Sequence, residues 1–432
     1  MRKETDTFLR QYGMHYDTID MRKETDAFLK QMRDGLAGRP SSLMMIPTFI
    51  TVTGGIPSGR EVIVMDAGGT NLRVATVRLE ADGRVTVANF SKQPMPGTQG
   101  RLTKDEFFEK FADYMEPVLK NSDAQTVGFC FSFATEILPS KEGRIKVFSK
   151  EIRVDGAEGQ LVGESLNAVL KKRGYAPKRF ILLNDTVATM LGGMAGGTGA
   201  YSSFIGYILG TGTNICYLEQ CANITKMPEA AGLGGQMAIN CESGNYDGFA
   251  QGKFDQEVDA ESKAPGGYRM EKMISGAYQG TVIYKTVRGA VADGLFSAAF
   301  AERFGRMERF TMPQIDAFCA DPQNGGELAA LADNGQDRET LYDIIDTCFE
   351  RSARMTAGVF AAIIRQSGAG TDRTLPVCIT AEGTSFTKSV LFKKKLDIYI
   401  QSCLNDTLGL WCDIIGGNDV NLTGSAIAAL VD

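Results

Sequence analysis

The sequence predicts an α/β protein, built as two domains or as one large body in two lobes. Its 432 residues exceed the usual size of one compact domain, and 43% of them are apolar, which is enough for two hydrophobic cores. Short alternating segments typical of strands are interleaved with longer helical patterns. Two strand–glycine–strand units, at 62–77 and 206–219, repeat one design in separate parts of the chain.

Charge and cysteine usage exclude several classes of protein. The net charge is −6, and the lysines and arginines are scattered, so they form no nucleic-acid footprint. No apolar run is long enough for a bilayer-spanning helix, and the charged start "MRKETDTFLRQYG" precedes no apolar region typical of a signal peptide. Nine cysteines without a CxxC pair indicate reduced thiols. We therefore expect a cytoplasmic protein whose partners include neither nucleic acid nor a membrane.

Histidine usage limits the chemistry further. The single histidine is His15, close to the N-terminus, so the body of the chain offers no histidine for serine or cysteine catalysis. Metal sites built from several histidines are excluded for the same reason. Proton transfer is therefore expected to use Asp, Glu, Lys or Tyr.

The N-terminus contains a local duplication. "MRKETDTFLRQ" at 1–11 is followed by "MRKETDAFLKQ" at 21–31, with two differences. One repeat of a 20-residue period is no solenoid. We interpret it as an upstream start that repeats the real one or as a duplicated first helix, and we expect residues 1–20 to lie outside the fold.

The elements follow in order from Met21. A helical stretch leads to the strand-like "MIPTFI", and two antiparallel strands then meet at a tight glycine turn at 67–70. Phe107, Phe108 and Phe111 share one face of a helix. The remaining predictions are helices at 103–120, 160–173, 270–305 and 339–367, strands at 126–135, 179–185 and 375–385, a second hairpin at 202–219, a glycine-rich connector at 192–200, and a short last helix behind a glycine.

The two glycine hairpins predict phosphate binding. Glycine permits positive φ and close backbone approach, so that successive N–H groups and a threonine hydroxyl converge on one place. Asp66 ends the first strand, and a carboxylate beside phosphate requires a cation, most simply Mg²⁺. Each hairpin alone would favour a plain β-turn, but two similar hairpins in one chain favour phosphate binding. There is no Walker A motif, because Gly252-Lys253 is followed by Phe254, and no GxGxxG follows a strand.

The stretch "ILLNDTVATML" at 181–191 ends an apolar strand on an amide and a carboxylate. Asp185 can cap the helix that begins at Thr186, or it can serve as a catalytic base. An unperturbed aspartate has a pKa near ~3.9 and is a weak base for an alcohol. Both interpretations remain open on these residues alone.

The chain resembles the hexokinase family, within the superfamily of sugar kinases, actin and heat-shock-chaperone ATPases, over about residues 21–432. The matching stretches occur in family order: "MDAGGTNLRVATV", "GFCFSFATEILPSKEGRIKVFSK", "LLNDTVATM", "LGTGTNICYLE", "INCESG", "FDQEVD", "PGGYRMEKMISGAYQG" and "AEGTS". The resemblance implies the two-lobed actin-like (ribonuclease H-like) fold, with a cleft between the lobes. The small domain would span 60–185, completed by the helix 420–432, and the large domain 21–59 and 186–419.

The resemblance also implies a site, residue by residue. Asp185 matches the family's catalytic base, and Lys150 would add positive charge near the transferred group. The sugar side would comprise Ser132, Phe133, Ser149, Lys150, Asn184, Asp185, Asn214, Glu242 and Glu271. The nucleotide side would comprise Asp66, Gly68, Gly69, Thr70, Asn71, Arg73, Gly210, Thr211, Gly212, Thr213, Gly383, Thr384 and Ser385, with Gly424 and Ser425 near a turn before the last helix.

The implied activity is ATP-dependent phosphorylation of the 6-hydroxyl of a hexose, glucose first, with ATP and Mg²⁺ as cofactors and Asp66 holding Mg²⁺ indirectly through water. The chain departs from the family pattern at Ala134, Phe148, Ser149 and Ser243, all near the sugar. These departures leave a sugar-binding regulator with little turnover as the alternative. A homodimer is a further expectation.

Overall fold

The structure is a computed structural model that describes residues 1–52, 57–81, 83–148, 152–196, 199–417 and 419–431. Within these ranges the strands are β1 Ile46–Val52, β2 Glu61–Ala67, β3 Asn71–Leu79, β4 Val85–Pro94, β5 Leu102–Thr103, β6 Thr126–Phe131, β7 Ala134–Ile137, β8 Gly143–Val147, β9 Val154–Asp155, β10 Arg179–Leu183, β11 Ser203–Leu209, β12 Thr213–Gln220, β13 Gln236–Asn240, β14 Val377–Glu382 and β15 Cys412–Ile415.

The α-helices of the same ranges alternate with these strands in the first half and dominate the second. They are α1 Lys3–Gln11, α2 Met21–Leu36, α3 Lys104–Leu119, α4 Val162–Lys172, α5 Asp185–Gly196, α6 Pro228–Ala231, α7 Lys253–Glu261, α8 Arg269–Ile274, α9 Gln279–Ala292, α10 Ala298–Phe304, α11 Met312–Ala320, α12 Gly326–Leu331, α13 Gly335–Ser367, α14 Thr384–Lys388, α15 Phe392–Tyr399 and α16 Val420–Leu430.

Two sheets with one topology organise the molecule. The five-stranded sheet has the order β10-β6-β2-β3-β4, and the six-stranded sheet has the order β1-β13-β12-β11-β14-β15. In each, three consecutive strands form an antiparallel meander, and two later strands add in parallel beside the first. The predicted two-lobed α/β architecture is confirmed, and the two glycine hairpins occupy equivalent positions, β2–β3 and β11–β12.

This topology places the site. Parallel strands of an open α/β sheet bind ligands beyond their carboxyl ends. The carboxyl ends of β2, β6 and β10 lead directly into Gly68, Ser132 and Asn184. The carboxyl ends of β11 and β14 lead into Gly210 and Gly383. These predicted site residues therefore follow parallel strands. Three others do not, since Asn214 lies in β12, Glu242 follows the antiparallel strand β13, and Glu271 lies in α8.

Two helices pack against each other between the sheets. α5 follows β10, α16 follows β15, and their backbones approach so closely that only glycine fits. A Cβ added to Gly424 would lie 1.8 Å from the carbonyl oxygen of Ala188, and one on Gly128 of β6 would lie 1.8 Å from that of Ser425. A separate apolar cluster containing Cys130, Leu183 and Ile427 fills the space around this crossing.

Three sequence-based expectations are corrected here. The connector predicted at 192–200 is helical as far as Gly196, because Gly192 and Gly193 provide close contacts to Val420 and Thr380 rather than a turn. Gly424 and Ser425 lie inside α16, not at a turn before it. The glycines that precede α16 are Gly416 and Gly417.

The third correction concerns residues 1–20, which belong to the packed structure. Phe8, Leu9, Met14 and Ile19 are all buried in the core of the larger sheet and its helices. The Phe8 ring stacks on Phe254 of α7 with the centroids 6.1 Å apart. The amphipathic spacing of apolar residues in α2 is repeated in α1, so α1 also packs its apolar face against the core. The domain boundaries drawn from the sequence stay a prediction.

Candidate active site

A cavity of about 790 Å³ lies between the carboxyl ends of the two sheets. β6, β7 and the helix start at α5 form one side, and β1, β12, the segment after β13 and α8 form the other. Among its lining residues are Ser132, Phe133, Asn184, Asp185, Gly212, Thr213, Asn214, Glu242 and Glu271, all predicted from the sequence. Ser149 and Lys150, also predicted, lie outside the described residues.

The start of α5 explains why an apolar strand ends in Asn-Asp. The Thr186 N–H donates to Asn184 Oδ1 at 2.9 Å and to Asp185 Oδ1 at 2.8 Å. Asn184 also accepts the first helical backbone bond, from the Ala188 N–H at 3.0 Å, which makes it the N-cap residue. Asp185 is therefore at the helix N-terminus and at the cavity wall at once, and among the described residues no hydrogen bond occupies its Oδ2.

Asp185 is a stronger base than an ordinary aspartate. Burial raises its pKa to about 6, and the negative charges of Glu242 and Asp66 act in the same direction. The hydrogen bonds from Thr186 oppose this rise without cancelling it. The unperturbed value that the sequence suggested is therefore too low, because it ignored the burial of the carboxyl and, to a smaller extent, the other carboxylates that the fold brings near Asp185.

Glu242 is held by two amides. Asn240 Nδ2 donates to Glu242 Oε1 at 2.8 Å, and Asn214 Nδ2 donates to the same oxygen at 3.3 Å. Burial raises the pKa of Glu242, and the two amides lower it. The backbone of Glu242 adopts φ 53°, in the left-handed region that non-glycine residues rarely occupy. Sequence reasoning missed Asn240, although the quoted "INCESG" contains it.

Glu271 is tied to the second glycine turn. Its Oε2 accepts a hydrogen bond from the Thr213 N–H at 3.1 Å, and burial, with the charge of Glu242, raises its pKa. A Cβ on Gly212 would lie 2.6 Å from that same oxygen. Gly212 is therefore required for close approach, and the turn links the sugar-side carboxylates to the proposed phosphate side.

The predicted nucleotide residues of the larger sheet also come together. Ser385 Oγ donates to the Gly210 carbonyl at 3.1 Å, and a Cβ on Gly210 would lie 3.6 Å from the Gly383 Cα. Thr211 accepts from the Ala277 N–H at 3.2 Å, and Gly210 accepts from the Gly276 N–H at 2.8 Å. Thr384 begins α14 beside them. Gly276 and Ala277 were absent from the predicted set.

The first hairpin places Asp66 opposite Arg73 in the β2–β3 register. Arg73 Nη1 lies 3.2 Å from Asp66 Oδ2, while burial raises the pKa of Asp66 more than the arginine lowers it. The turn closes by a hydrogen bond from the Gly68 N–H to the Asn71 carbonyl at 3.0 Å. A Cβ on Gly69 would meet no atom within 4 Å, so the turn faces open space. Thr70 accepts from the Met95 N–H at 3.0 Å.

Glu382 and Asp419 complete this side and were missed. Arg73 lowers the pKa of Glu382, which burial raises, and the charge of Asp419 raises the pKa of both Glu382 and Asp66. These influences place the start of α16 at the site through Asp419. By contrast, Ser425 is fully buried, with its hydroxyl donating to the Asn421 carbonyl at 2.7 Å.

Asp66 fits Mg²⁺ that arrives with a nucleotide. Among the described residues, no three His, Cys, Asp or Glu side chains converge on a metal position. Mg²⁺ commonly binds one or two carboxylates plus substrate phosphates rather than an all-protein cage. One hard oxygen donor beside a glycine turn open to a ligand matches that pattern, and Asp66 would hold the ion through water.

Comparison with known proteins decides the family. A family model described as Hexokinase matches residues 204–431, more than half of the chain, and a second with the same description matches residues 5–195. The chain belongs to the hexokinase family. As a hexokinase it is an enzyme of ATP-dependent hexose phosphorylation. The match at residue 5 begins upstream of Met21, where the motif resemblance begins, and agrees with the packing of α1.

Individual relatives of this hexokinase cover most of its length. Hexokinase-1 of Schizosaccharomyces pombe is 26% identical over 429 residues, covering 93% of this chain and 85% of the relative. The chloroplastic Hexokinase-2 of Nicotiana tabacum is 30% identical over 360 residues, covering 78% and 71%. A solved hexokinase from Schistosoma mansoni, complexed with glucose, has a TM-score of 0.78 at 22% identity, covering 99% of this chain and 98% of that one. This likeness confirms the fold class.

Proposed function

We propose that this hexokinase transfers the γ-phosphoryl group of Mg·ATP to the 6-hydroxyl of glucose, with Asp185 as the general base. The observation that carries the proposal is the position of Asp185, at a helix start on the wall of a polar cavity, with its pKa raised to about 6. A base whose pKa lies near the operating pH is both available and effective. The glucose named with the solved Schistosoma mansoni hexokinase supports the choice of sugar.

Recognition of the sugar is assigned to the carboxylates and amides of the cavity. A hexose presents a ring of hydroxyls, each donor and acceptor, and carboxylates form stronger hydrogen bonds to hydroxyls than neutral acceptors do. Glu242 and Glu271 face the cavity from one side, and Asn184 and Asp185 face it from the other. Asn184 uses its carbonyl oxygen to cap α5, so its amino group is the part that donates to the sugar.

Asp185 orients the 6-hydroxyl and accepts its proton as the phosphoryl group moves. If the transition state is loose, little deprotonation is needed early, so a carboxylate suffices. Mg²⁺ supplies charge neutralisation between the phosphates when it is bound. Asp66 and Arg73 hold the phosphate side from β2 and β3, and the Gly210–Thr213 turn holds it from the other sheet. Lys150 is assigned from the sequence alone. Closure of the cleft excludes water, which competes with the sugar.

Substitution of Asp185 tests the base. Asp185→Asn keeps the size and the acceptor for Thr186 but removes the base, so we expect kcat to fall by about 10²–10⁴-fold. Asp185→Ala should give a similar loss. Glucose and ATP binding, measured by calorimetry, should persist in both variants. Turnover close to that of the wild type would contradict the base assignment.

A substrate panel tests the sugar and the alternative function. Coupled assays with glucose, mannose, fructose and glucosamine should show sugar-dependent ADP release, with the highest kcat/KM for glucose. Sugar binding without turnover would favour the regulator instead. ADP release independent of sugar would contradict both functions.

A cytoplasmic location is part of the same proposal. Its support is the state of the nine cysteines, which are all free thiols, eight of them buried. Reduced thiols are typical of reducing compartments. Fractionation of the source cells with a compartment marker tests it, and recovery in an organelle would contradict it. Among the described residues, no helix has both the length and the apolar character to cross a membrane.

A further inference from the structure

Asn240 lies between two predicted sugar ligands without having been assigned to the site. It ends β13, is 5% exposed, and borders the cavity. Its Nδ2 donates to Glu242 Oε1 at 2.8 Å, and its Oδ1 accepts from Asn214 Nδ2 at 2.7 Å. The same Oδ1 lies 3.4 Å from the backbone nitrogen of Glu242. One amide therefore connects Asn214 to Glu242.

The orientation of this amide is fixed by its neighbours. Turned by 180°, Asn240 would place its oxygen against the Glu242 carboxylate and its nitrogen against the Asn214 amino group. Both contacts would pair like with like, so only the observed orientation satisfies the network. The network therefore specifies one arrangement of three side chains.

Asn214 has no hydrogen-bonding capacity left in this arrangement. Its Oδ1 accepts from the Ile215 N–H at 2.7 Å and from the Ser243 N–H at 3.1 Å. Its two amino protons go to Asn240 and Glu242. An amide offers two acceptor sites and two donors, and all four are occupied. Asn214 thus acts here as a support for Glu242 rather than as a free ligand.

Glu242 needs such support. The backbone of Glu242 is in the left-handed region. Its carboxylate is largely buried near Glu271 and Asp185, and its negative charge raises the pKa of both of these groups. Two amide donors on Oε1 hold the charged carboxylate in one rotamer. Oε2 is then the oxygen presented to a sugar hydroxyl.

We propose that Asn240 is a positioning residue that fixes the Glu242 carboxylate, directly and through Asn214, and thereby sets selectivity for one hydroxyl of the hexose. This rests on the proposed function, in which Glu242 binds a sugar hydroxyl. Loss of the Asn240 amide frees Oε1 and the Glu242 rotamer. The enzyme then no longer discriminates between glucose and a sugar that lacks the hydroxyl bound by Glu242, while the ATP site is unaffected.

The experiment compares kcat/KM for glucose and for 2-, 3- and 4-deoxyglucose in the wild type and in Asn240→Ala. We expect the KM for glucose to rise about 10- to 100-fold, because a buried acceptor loses its donor, with kcat and the KM for ATP changed much less. In the wild type, removal of a hydroxyl lowers kcat/KM relative to glucose by some factor. In Asn240→Ala this factor should be about tenfold smaller for one of the three deoxyglucoses and unchanged for the other two.

Two variants keep the test decisive. Asn240→Asp is nearly isosteric and retains the acceptor for Asn214 but places a carboxylate against Glu242, so it should show the same selective loss even if Asn240→Ala does not fold. Asn223→Ala is the control, because it removes a similar amide–carboxylate hydrogen bond, to Glu219 Oε1 at 2.8 Å, outside the cavity. It should leave the ratio of kcat/KM between glucose and each deoxyglucose unchanged.

The outcomes separate the two proposals. If both Asn240 variants lower kcat/KM by the same factor for glucose and for all three deoxyglucoses, Asn240 is merely structural. That result would overturn this inference and leave the proposed function intact. A wild type that phosphorylates none of the sugars would overturn the proposed function itself. A rise confined to the KM for ATP would also contradict the inference.

Discussion

In the proposed function, Asp185 combines two roles that the sequence left as alternatives. Its Oδ1 accepts from the helix N-terminus, Asn184 provides the cap proper, and no hydrogen bond within the described part of the chain occupies Oδ2. A strand ending in Asn-Asp ahead of a helix was enough to predict this position. Its pKa could not be predicted in the same way, because the burial that mainly raises it and the added charges of Glu242 and Asp66 come from parts of the fold far away in sequence.

The raised pKa predicts the acid limb of the activity. A general base works when deprotonated, so kcat/KM should fall about tenfold for each pH unit below pH 6. Glu242→Gln removes one negative charge that raises the pKa of Asp185, so the limb should move to lower pH. The measurement is a pH–rate profile from pH 4.5 to 8. Glu136→Gln, at a cavity-lining carboxylate paired with Lys146, should leave the limb in place.

The same pKa predicts a stability effect. A folded pKa above the unfolded value means that the folded state binds the proton more tightly, so stability is lost as pH rises through about 6. Asp185→Asn should therefore stabilise the fold by about 2 kcal/mol at pH 7.5, and by less at pH 4.5. Thermal denaturation at the two pH values measures this.

Asp34 serves as the control of opposite sign for this effect. Hydrogen bonds from Lys30 and Arg39 lower the pKa of its carboxyl. Asp34→Asn should accordingly lower the melting temperature at pH 7.5. If Asp185→Asn lowers it as well, the stability cost assigned to Asp185 is wrong.

At the scale of elements, glycines in hairpin turns were predicted correctly and glycines within helices were not. Glycines between two alternating segments marked the hairpins at Gly68 and Gly210 correctly. Glycines within a helical pattern were misjudged, as at Gly192 and Gly424, where they permit close helix packing. Local sequence does not distinguish a glycine that turns the chain from one that lets a partner element approach, because the partner is distant in sequence.

The α5–α16 crossing gives the element-scale prediction. Gly424→Ala should destabilise the protein by about 1–3 kcal/mol, because its Cβ would overlap the Ala188 carbonyl oxygen and push the two helices apart. Denaturant unfolding measures the change. Gly335→Ala in α13, where a Cβ meets no atom within 4 Å, is the matched control and should cause no loss. Equal effects of the two substitutions would contradict the packing argument.

At the scale of the whole molecule, the repeated topology of the two sheets explains why two similar hairpins face one cleft. The sequence predicted both hairpins and, by resemblance, the lobes. It did not predict that residues 1–20 are packed, because a near-identical repeat reads most simply as a redundant start. The surface that receives residues 1–20, around Phe254 and Arg351, is assembled from elements remote in sequence.

Paired substitutions in the two repeats test this packing. Phe8 and Phe28 occupy the same position of the repeat, and both are buried. Phe8→Ala and Phe28→Ala should each destabilise the protein by about 3–5 kcal/mol in thermal or denaturant unfolding. Thr7→Ala, an exposed change that copies Ala27 of the second repeat, should alter stability by less than about 0.5 kcal/mol. If Phe8→Ala leaves the free energy of unfolding unchanged while Phe28→Ala lowers it, residues 1–20 lie outside the fold.

The repeat has a consequence for how the chain folds. α1 buries Thr5, Phe8 and Leu9, and α2 buries Thr25, Phe28 and Leu29, so the two helices present one apolar face. While the chain is unfolded, either copy fits the first turns of either docking surface. The copies differ in length, since α2 continues into Met32 and Leu36 whereas α1 ends at Gln11. We therefore expect exchange of the two copies to add a slow phase to refolding, which docking of the second half of α2 would end.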